Sequence, residues 1–207
     1  MKKYIILIVI SIFVFGRNLN AAEYEHSILS KIIKSIGGER ITDQMAGILA
    51  KKPLGAVYLK DASDKANLYS MVICDVLGEK RHTRDEVDAA RHFIWSSILT
   101  AYFGDEFARE LLTAHESRTD SFNDENYMDL RNNEVGFNFG SKIPLVMKTR
   151  RVKVAGQQRF KKVRYKVLDT SVDFFRIAVK NKLEMGELTT LDTSSSSCAR
   201  PDIYPNF

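Results

Sequence analysis

The sequence predicts a mainly α-helical fold, a compact multi-helix domain with one small basic β-hairpin near the C-terminal third. Three observations carry that prediction. Apolar residues recur at helical spacing in successive segments between residues 26 and 140, most of them closed by Gly or Pro. Residues 151–168 switch to polar/apolar alternation, the period of a strand. The composition, 44% hydrophobic and 28% charged, is that of an ordinary globular chain. It excludes a wholly disordered chain, a collagen-like repeat and a disulfide-dense miniprotein.

The chain opens on Met1-Lys2-Lys3, continues with 12 mostly apolar residues from Tyr4 to Phe15, and reaches Gly16–Ala22. This is the order of a secretory signal peptide, assigned to residues 1–21, with cleavage expected after Ala21. The apolar run is shorter than the roughly 20 residues a membrane span needs, so no transmembrane anchor is expected after cleavage. The mature protein is therefore expected in the periplasm or outside the cell. Residues 22–140 form the helical domain, 141–192 the hairpin with a C-terminal helix packed on the same domain, and 193–207 a Ser-rich tail. Two cysteines, Cys74 and Cys198, permit one disulfide in an oxidising compartment.

The elements follow in order. His26–Ile36 carries Ile28, Leu29, Ile32, Ile33 and Ile36, then stops at Gly37-Gly38. Ile41–Lys51 ends before Pro53, and Asp64–Leu77 presents Leu68, Met71, Val72 and Val76 before Gly78. Thr83-Arg84-Asp85-Glu86 reads as a capping box, in which Thr83 accepts from an amide of the first turn and Glu86 reaches back. It opens a helix to Tyr102, stopped by Gly104, and Asp105–Glu116 follows. A polar loop, Ser117–Asn126, leads into Tyr127–Phe139, ended by Gly140. Part of that loop, Asp120–Asn126, is rich in oxygen donors but lacks EF-hand spacing, and reads as a solvated acidic loop. Strands are expected at Arg151–Ala155 and Arg159–Leu168, and a helix at Thr170–Met185.

Residues 84–140 hold the informative polar groups. Side chains step about 100° apart around a helix, which lets faces be compared. Arg91 falls inside the apolar stripe of its helix, with Asp88 within it, His92 on its margin and Trp95 in it. His115 sits at the centre of the next stripe, with Glu116 beside it. On the third helix Arg131, Glu134 and Asn138 form a solvent face, and Asp129, Asn132, Asn133 and Gly136 lie opposite. Three consecutive helices thus aim polar groups at a shared interior, which is costly unless they pair. Arg91 against Asp88, Glu116 and Asp129 leaves the cluster at −2 with both histidines neutral.

Three readings compensate that charge. A divalent metal would be held by His92, His115 and Asp129, with Glu116 as general base on a bound water. Without metal, Glu116 in an apolar pocket would act as a general acid. A structural network of Arg, carboxylates and Asn would lock the helices together with no catalytic role.

Arg91-His92-x-x-Trp95, Ala114-His115-Glu116 and Met128-Asp129-Leu130-x-Asn132-Asn133-x-x-Gly136 together resemble an uncharacterised helical domain family of exported bacterial proteins and toxin C-termini. The likeness spans residues 88–137 and implies that these residues act as one constellation; it implies no reaction. Glu116-Ser117, closing a helix before a polar loop, also resembles lysozyme-type muramidases at the level of one turn.

Residues 142–166 contain ten Lys and Arg and no acid. Arg150, Arg151, Lys153, Arg159, Lys161, Lys162 and Arg164 form an anion-binding candidate. In an exported protein the fitting partners are anionic envelope polymers or lipid headgroups, and no nucleic acid is expected, because no base-stacking motif accompanies the run. The overall net charge of +5 conceals this concentration. The functional expectation is a cell-envelope hydrolase acting on peptidoglycan or phospholipid. Its catalytic candidates are His92, His115, Glu116 and Asp129, supported by Asp88, Arg91, Trp95, Asn132 and Asn133. The alternative is a non-catalytic envelope-binding or partner-interaction protein that works through the hairpin.

Overall fold

A computed structural model describes residues 41–52, 55–75, 85–117, 123–153 and 160–191. Among them are six helices and one two-stranded antiparallel sheet, so the fold is mainly α. The helices are α1 (Asp43–Ala50), α2 (Gly55–Ile73), α3 (Glu86–Phe103), α4 (Asp105–Glu116), α5 (Asp124–Gly140) and α6 (Val172–Glu184). The strands are β1 (Leu145–Lys153) and β2 (Phe160–Leu168). The helix expected at His26–Ile36, the signal peptide, Cys198 and the Ser-rich tail lie outside the described residues. No helix among the described residues is long and apolar enough to cross a membrane.

The contacts divide the chain into two compact units, a division the sequence reading did not draw. Among the described residues, one unit contains those up to Lys60 together with Leu145–Val167. The other contains Asp61–Pro144 and those from Leu168 onward. In the first, Thr42 caps α1 by accepting from the Met45 amide at 3.0 Å, and Met45, Ala46, Ile48 and Leu49 are buried. The hairpin belongs here. Along β2, Val163, Tyr165 and Val167 are half-buried while Lys162, Arg164 and Lys166 are exposed, the alternation a one-sided sheet requires. The Lys166 amide donates to the Tyr58 hydroxyl at 2.9 Å.

The second unit is organised around α3. Asp85 caps it, accepting from the Asp88 amide at 3.0 Å. The helix begins at Glu86, two residues after the expected start, and Thr83 of the expected capping box lies outside the described residues. The amphipathic stripe read from sequence also understates its burial. Ala89, Phe93, Ser96, Ser97 and Thr100 are buried along with the stripe, as befits a central helix surrounded by neighbours.

Helix α5 crosses α3 unusually closely. A Cβ on Gly140 would stand 2.5 Å from Thr100 Cβ and 2.6 Å from the Ser97 carbonyl oxygen. One on Gly136 would overlap Ser96 Oγ and the Phe93 carbonyl oxygen. The facing serines satisfy themselves within α3: Ser96 donates to the His92 carbonyl at 2.7 Å, and Ser97 to that of Phe93 at 2.6 Å. Small residues on both sides therefore bring the two backbones together with both serine hydroxyls satisfied, while the Thr100 hydroxyl, buried at the same crossing, makes no hydrogen bond among the described residues. Phe93, Phe139, Phe174 and Phe175 continue the core into α6, with successive ring centroids 5.3–5.6 Å apart.

Three other boundaries move. Helix α2 starts at Gly55, nine residues before Asp64, since nothing between them breaks a helix. Its buried positions from Ala62 onward are Ala62, Ala66, Ser70 and Ile73, and Leu68 is 52% exposed, so the expected stripe of larger residues is not the packing face. Helix α5 starts at Asp124 because Asn123 and Asn126 cap each other reciprocally, at 3.0 and 3.3 Å. The polar segment before it is thus partly helix, and its acids Asp124 and Glu125 favour the positive helix terminus. Strand β1 begins at Leu145, six residues ahead of the expected start.

Candidate functional site

Helices α3, α4 and α5 each contribute acidic or imidazole side chains to one point inside the second unit. Asp88 and His92 stand one turn apart on α3, which puts them on the same face. Glu116 is the last residue of α4, and Asp129 lies in the second turn of α5. All four are buried, with exposures of 1%, 5%, 6% and 8%.

The imidazole of His92 is the hub. Its Nε2 is 3.4 Å from Asp88 Oδ1 and 3.3 Å from Asp129 Oδ1, while its Nδ1 is 3.6 Å from Glu116 Oε1. Arg91 pairs with the Asp88 carboxylate. Asn133, fully buried, donates from Nδ2 to Glu116 Oε1 at 3.1 Å. Asn126 donates to the Glu116 backbone carbonyl at 3.1 Å, satisfying a terminal carbonyl of α4 and fixing where Glu116 is presented.

Electrostatics sharpen the arrangement. Burial pushes the His92 imidazole below its ordinary pKa, although Asp129 and Glu116 pull it upward. Burial also raises the Asp129 carboxyl, to about 6, against the favourable influence of His92. The network is incompletely satisfied. Asp129 Oδ1 is buried and finds no hydrogen-bond partner among the described residues, and the Asn133 side chain lies against the His92 imidazole and pulls its pKa upward. Most buried polar atoms are paired, so an unpaired carboxylate oxygen at this depth stands out.

The sequence-derived residues separate into groups. Asp88, Arg91, His92, Glu116, Asp129 and Asn133 come together. His115 faces Trp95 edge-on at 4.8 Å between centroids, and Trp95 in turn lies 6.3 Å from the His92 ring. The group whose ligating atoms lie within 4.8 Å of one another is Asp88, His92 and Asp129, without His115. Asn132 points elsewhere: it accepts from the Thr189 amide at 2.8 Å and donates to the Thr189 carbonyl at 2.9 Å, clamping the segment after α6. On the hairpin, Arg151, Lys161, Lys162 and Arg164 are exposed, and Arg159 lies outside the described residues.

Sequence reasoning passed over Asn126, Ser96 and Ser97. The signal for the serines was present: Gly136 and Gly140 fall one turn apart on α5, and small residues so spaced need a close partner.

Fold and cluster together define a mainly α-helical domain with a buried histidine–carboxylate centre. The chain belongs to the family described as Domain of unknown function (DUF6973), whose model matches residues 46–163, more than half of the chain. That match encloses every residue of the cluster. No curated protein and no solved structure matches the chain.

Proposed function

We propose that this domain is an exported cell-envelope hydrolase, acting on peptidoglycan or a phospholipid at the His92–Glu116–Asp129 centre. The observation that carries the reading is the convergence of three carboxylates on one buried imidazole. Hydrolysis needs a base to take a proton from water and an acid to give one to the leaving group. A carboxyl raised to about 6 and an imidazole held largely neutral are suited to exchange protons near neutral pH. Arg91 and Asn133 would orient Asp88 and Glu116, and Trp95 with His115 would flank the reacting group. Export rests on the signal-peptide pattern of residues 1–21. The same compartment would join Cys74, buried just beyond α2, to Cys198. The unreduced mature protein would then be lighter by two hydrogens in intact-mass measurement.

Zymography on peptidoglycan and product release from phospholipid vesicles test the activity. Glu116→Gln keeps the shape and loses the charge, and should lower turnover about 100-fold or more while remaining folded. His92→Ala and His115→Ala should also lose activity. If Glu116→Gln keeps full activity on envelope extracts, or the wild-type chain releases no product, the reading fails.

One observation favours a second reading. The cluster is nearly closed to solvent, as a structural network would be. The exposed cations Arg151, Lys161, Lys162 and Arg164 would then form the working surface, binding anionic envelope polymers or lipid headgroups. Charge reversal at Lys161 and Lys162 would abolish vesicle binding under that reading, and leave hydrolysis of a soluble substrate intact under the first.

A further inference from the structure

The geometry points to a divalent metal site: Asp88, His92 and Asp129 bind a transition-metal cation that accepts mixed nitrogen and oxygen ligands, Zn²⁺ or Mn²⁺. This ligand set replaces the His92–His115–Asp129 set that the sequence suggested.

The first argument is spacing. Ligand atoms around an ion at ~2.1 Å sit roughly 3.0–3.4 Å apart in adjacent positions of octahedral or tetrahedral geometry. His92 Nε2 lies 3.4 Å from Asp88 Oδ1 and 3.3 Å from Asp129 Oδ1, and the three ligand atoms are all within 4.8 Å of one another.

The second argument is what faces what. The approach of Asp129 Oδ1 to Nε2 does not satisfy hydrogen-bond geometry, and that oxygen is buried without a partner among the described residues. Two carboxylate oxygens converge on one ring nitrogen whose single proton can serve at most one of them with good geometry. If Nε2 carries no proton, lone pairs of all three groups face a shared point; Asp88 Oδ1 also accepts from Arg91, and a cation at that point turns the remaining repulsion around Nε2 and Asp129 Oδ1 into coordination.

The third argument lies on the other side of the ring. A metal-bound imidazole usually donates its remaining N–H to a carboxylate, which fixes the tautomer. Glu116 Oε1 stands 3.6 Å from Nδ1, within reach of a small adjustment, and is itself anchored by Asn133. Charge agrees. Among the described residues Arg91 is the cation set against the carboxylates of Asp88, Glu116 and Asp129, and a divalent ion makes that sum neutral. Asp129, at 12% side-chain exposure the most open ligand, leaves the approach for a water or substrate on its side.

The inference deepens the hydrolase reading by naming what would activate water, but its test does not require turnover. The mature chain, stripped with a chelator, is titrated with Zn²⁺ by calorimetry and with Mn²⁺ by electron paramagnetic resonance. One ion per chain is expected. Asp129→Asn and Asp88→Asn should each weaken binding about 100-fold or more, Glu116→Gln roughly 10–100-fold as an outer-shell change, and His115→Ala less than about threefold. Pulsed resonance on the Mn²⁺-loaded wild type should detect coupling to one imidazole nitrogen. That readout does not depend on any variant folding. Absence of saturable binding, absence of the nitrogen coupling, or full affinity in folded Asp129→Asn overturns the site. Binding without activity would sink the hydrolase reading and leave the site standing.

Discussion

Asn133 in the third turn of α5 donates to the carboxylate of Glu116 in the last turn of α4, 3.1 Å away and shielded from water. A buried hydrogen bond to a charged acceptor contributes about 1.5–3 kcal/mol, and its loss also leaves the acceptor short of a partner. Asn133→Ala should therefore cost about 2–3 kcal/mol in urea unfolding. Asn133→Asp should cost more, because it sets two carboxylates face to face. Equal stability of Asn133→Asp and wild type at neutral pH would show that Glu116 does not depend on this donor.

The α3–α5 crossing makes a separate prediction. Gly136→Ala places a methyl against the Phe93 carbonyl and Ser96, and Gly140→Ala against the Ser97 carbonyl and Thr100. Backbone cannot yield as a flexible side chain can, so the helices must separate. Each substitution should lose about 1–3 kcal/mol, even though alanine is the better helix former by about 1 kcal/mol. Pairing Gly136→Ala with Ser96→Gly should recover only part of the loss, because the carbonyl contact remains. An unchanged melting temperature in Gly136→Ala would contradict the close crossing.

Asp129 predicts a trade between stability and site chemistry. Its carboxyl is raised to about 6 by burial, so the native state holds the proton more tightly than the unfolded chain does. Its contribution to stability is thus present below the unfolded value of 3.8 and is lost as pH rises through about 6. In the presence of a chelator, Asp129→Asn should be more stable than wild type at pH 7.5 by up to about 2 kcal/mol. The advantage should vanish near pH 4. His92, Glu116, Arg91 and Glu125 also act on this carboxyl, and the variant-minus-wild-type difference at each pH removes most of their own titration. A variant less stable than wild type at pH 7.5 in chelator would refute the burial cost.

On the surface, Arg109 of α4 makes a forked pair with Glu134 of α5, one arm at 3.0 Å, and lies over the Phe137 ring at 4.4 Å. Arg109 holds the Glu134 carboxyl below its ordinary pKa, so the pair stabilises above the usual carboxylate range and is lost as pH falls through it. Both groups are substantially exposed, so a double-mutant cycle should return only about 0.2–1 kcal/mol, declining with added salt. Arg109→Ala should cost more than Glu134→Ala, because the ring contact is lost as well. The reverse order would remove the ring from the account.

Helix α4 shows what sequence alone can determine. Asp105–Glu116 is bounded by a glycine and by polar residues, its apolar positions recur at helical period, and the structure reproduces those limits. The polar side of α5 was legible for the same reason: Asp129, Asn132, Asn133 and Gly136 fall together at helical spacing, and all four are buried. Such features depend on periodicity and capping within a few residues. Which polar residues meet depends on helices far apart in the chain. Helical spacing puts His115 and His92 both toward the interior, yet buried His92 turns to Asp88, Glu116 and Asp129 while half-buried His115 packs against Trp95. Asn132 and Asn133 are adjacent, but a rotation of about 100° sends one to Thr189 and the other to Glu116. The sequence determined the limits of α4, the buried polar face of α5 and the excess of acid in this stretch of chain. The tertiary structure decided which atoms share a point, because the depth and rotation of each helix are set by packing such as Gly136 on Ser96, a close approach that the glycine spacing signals but whose partner no local pattern names.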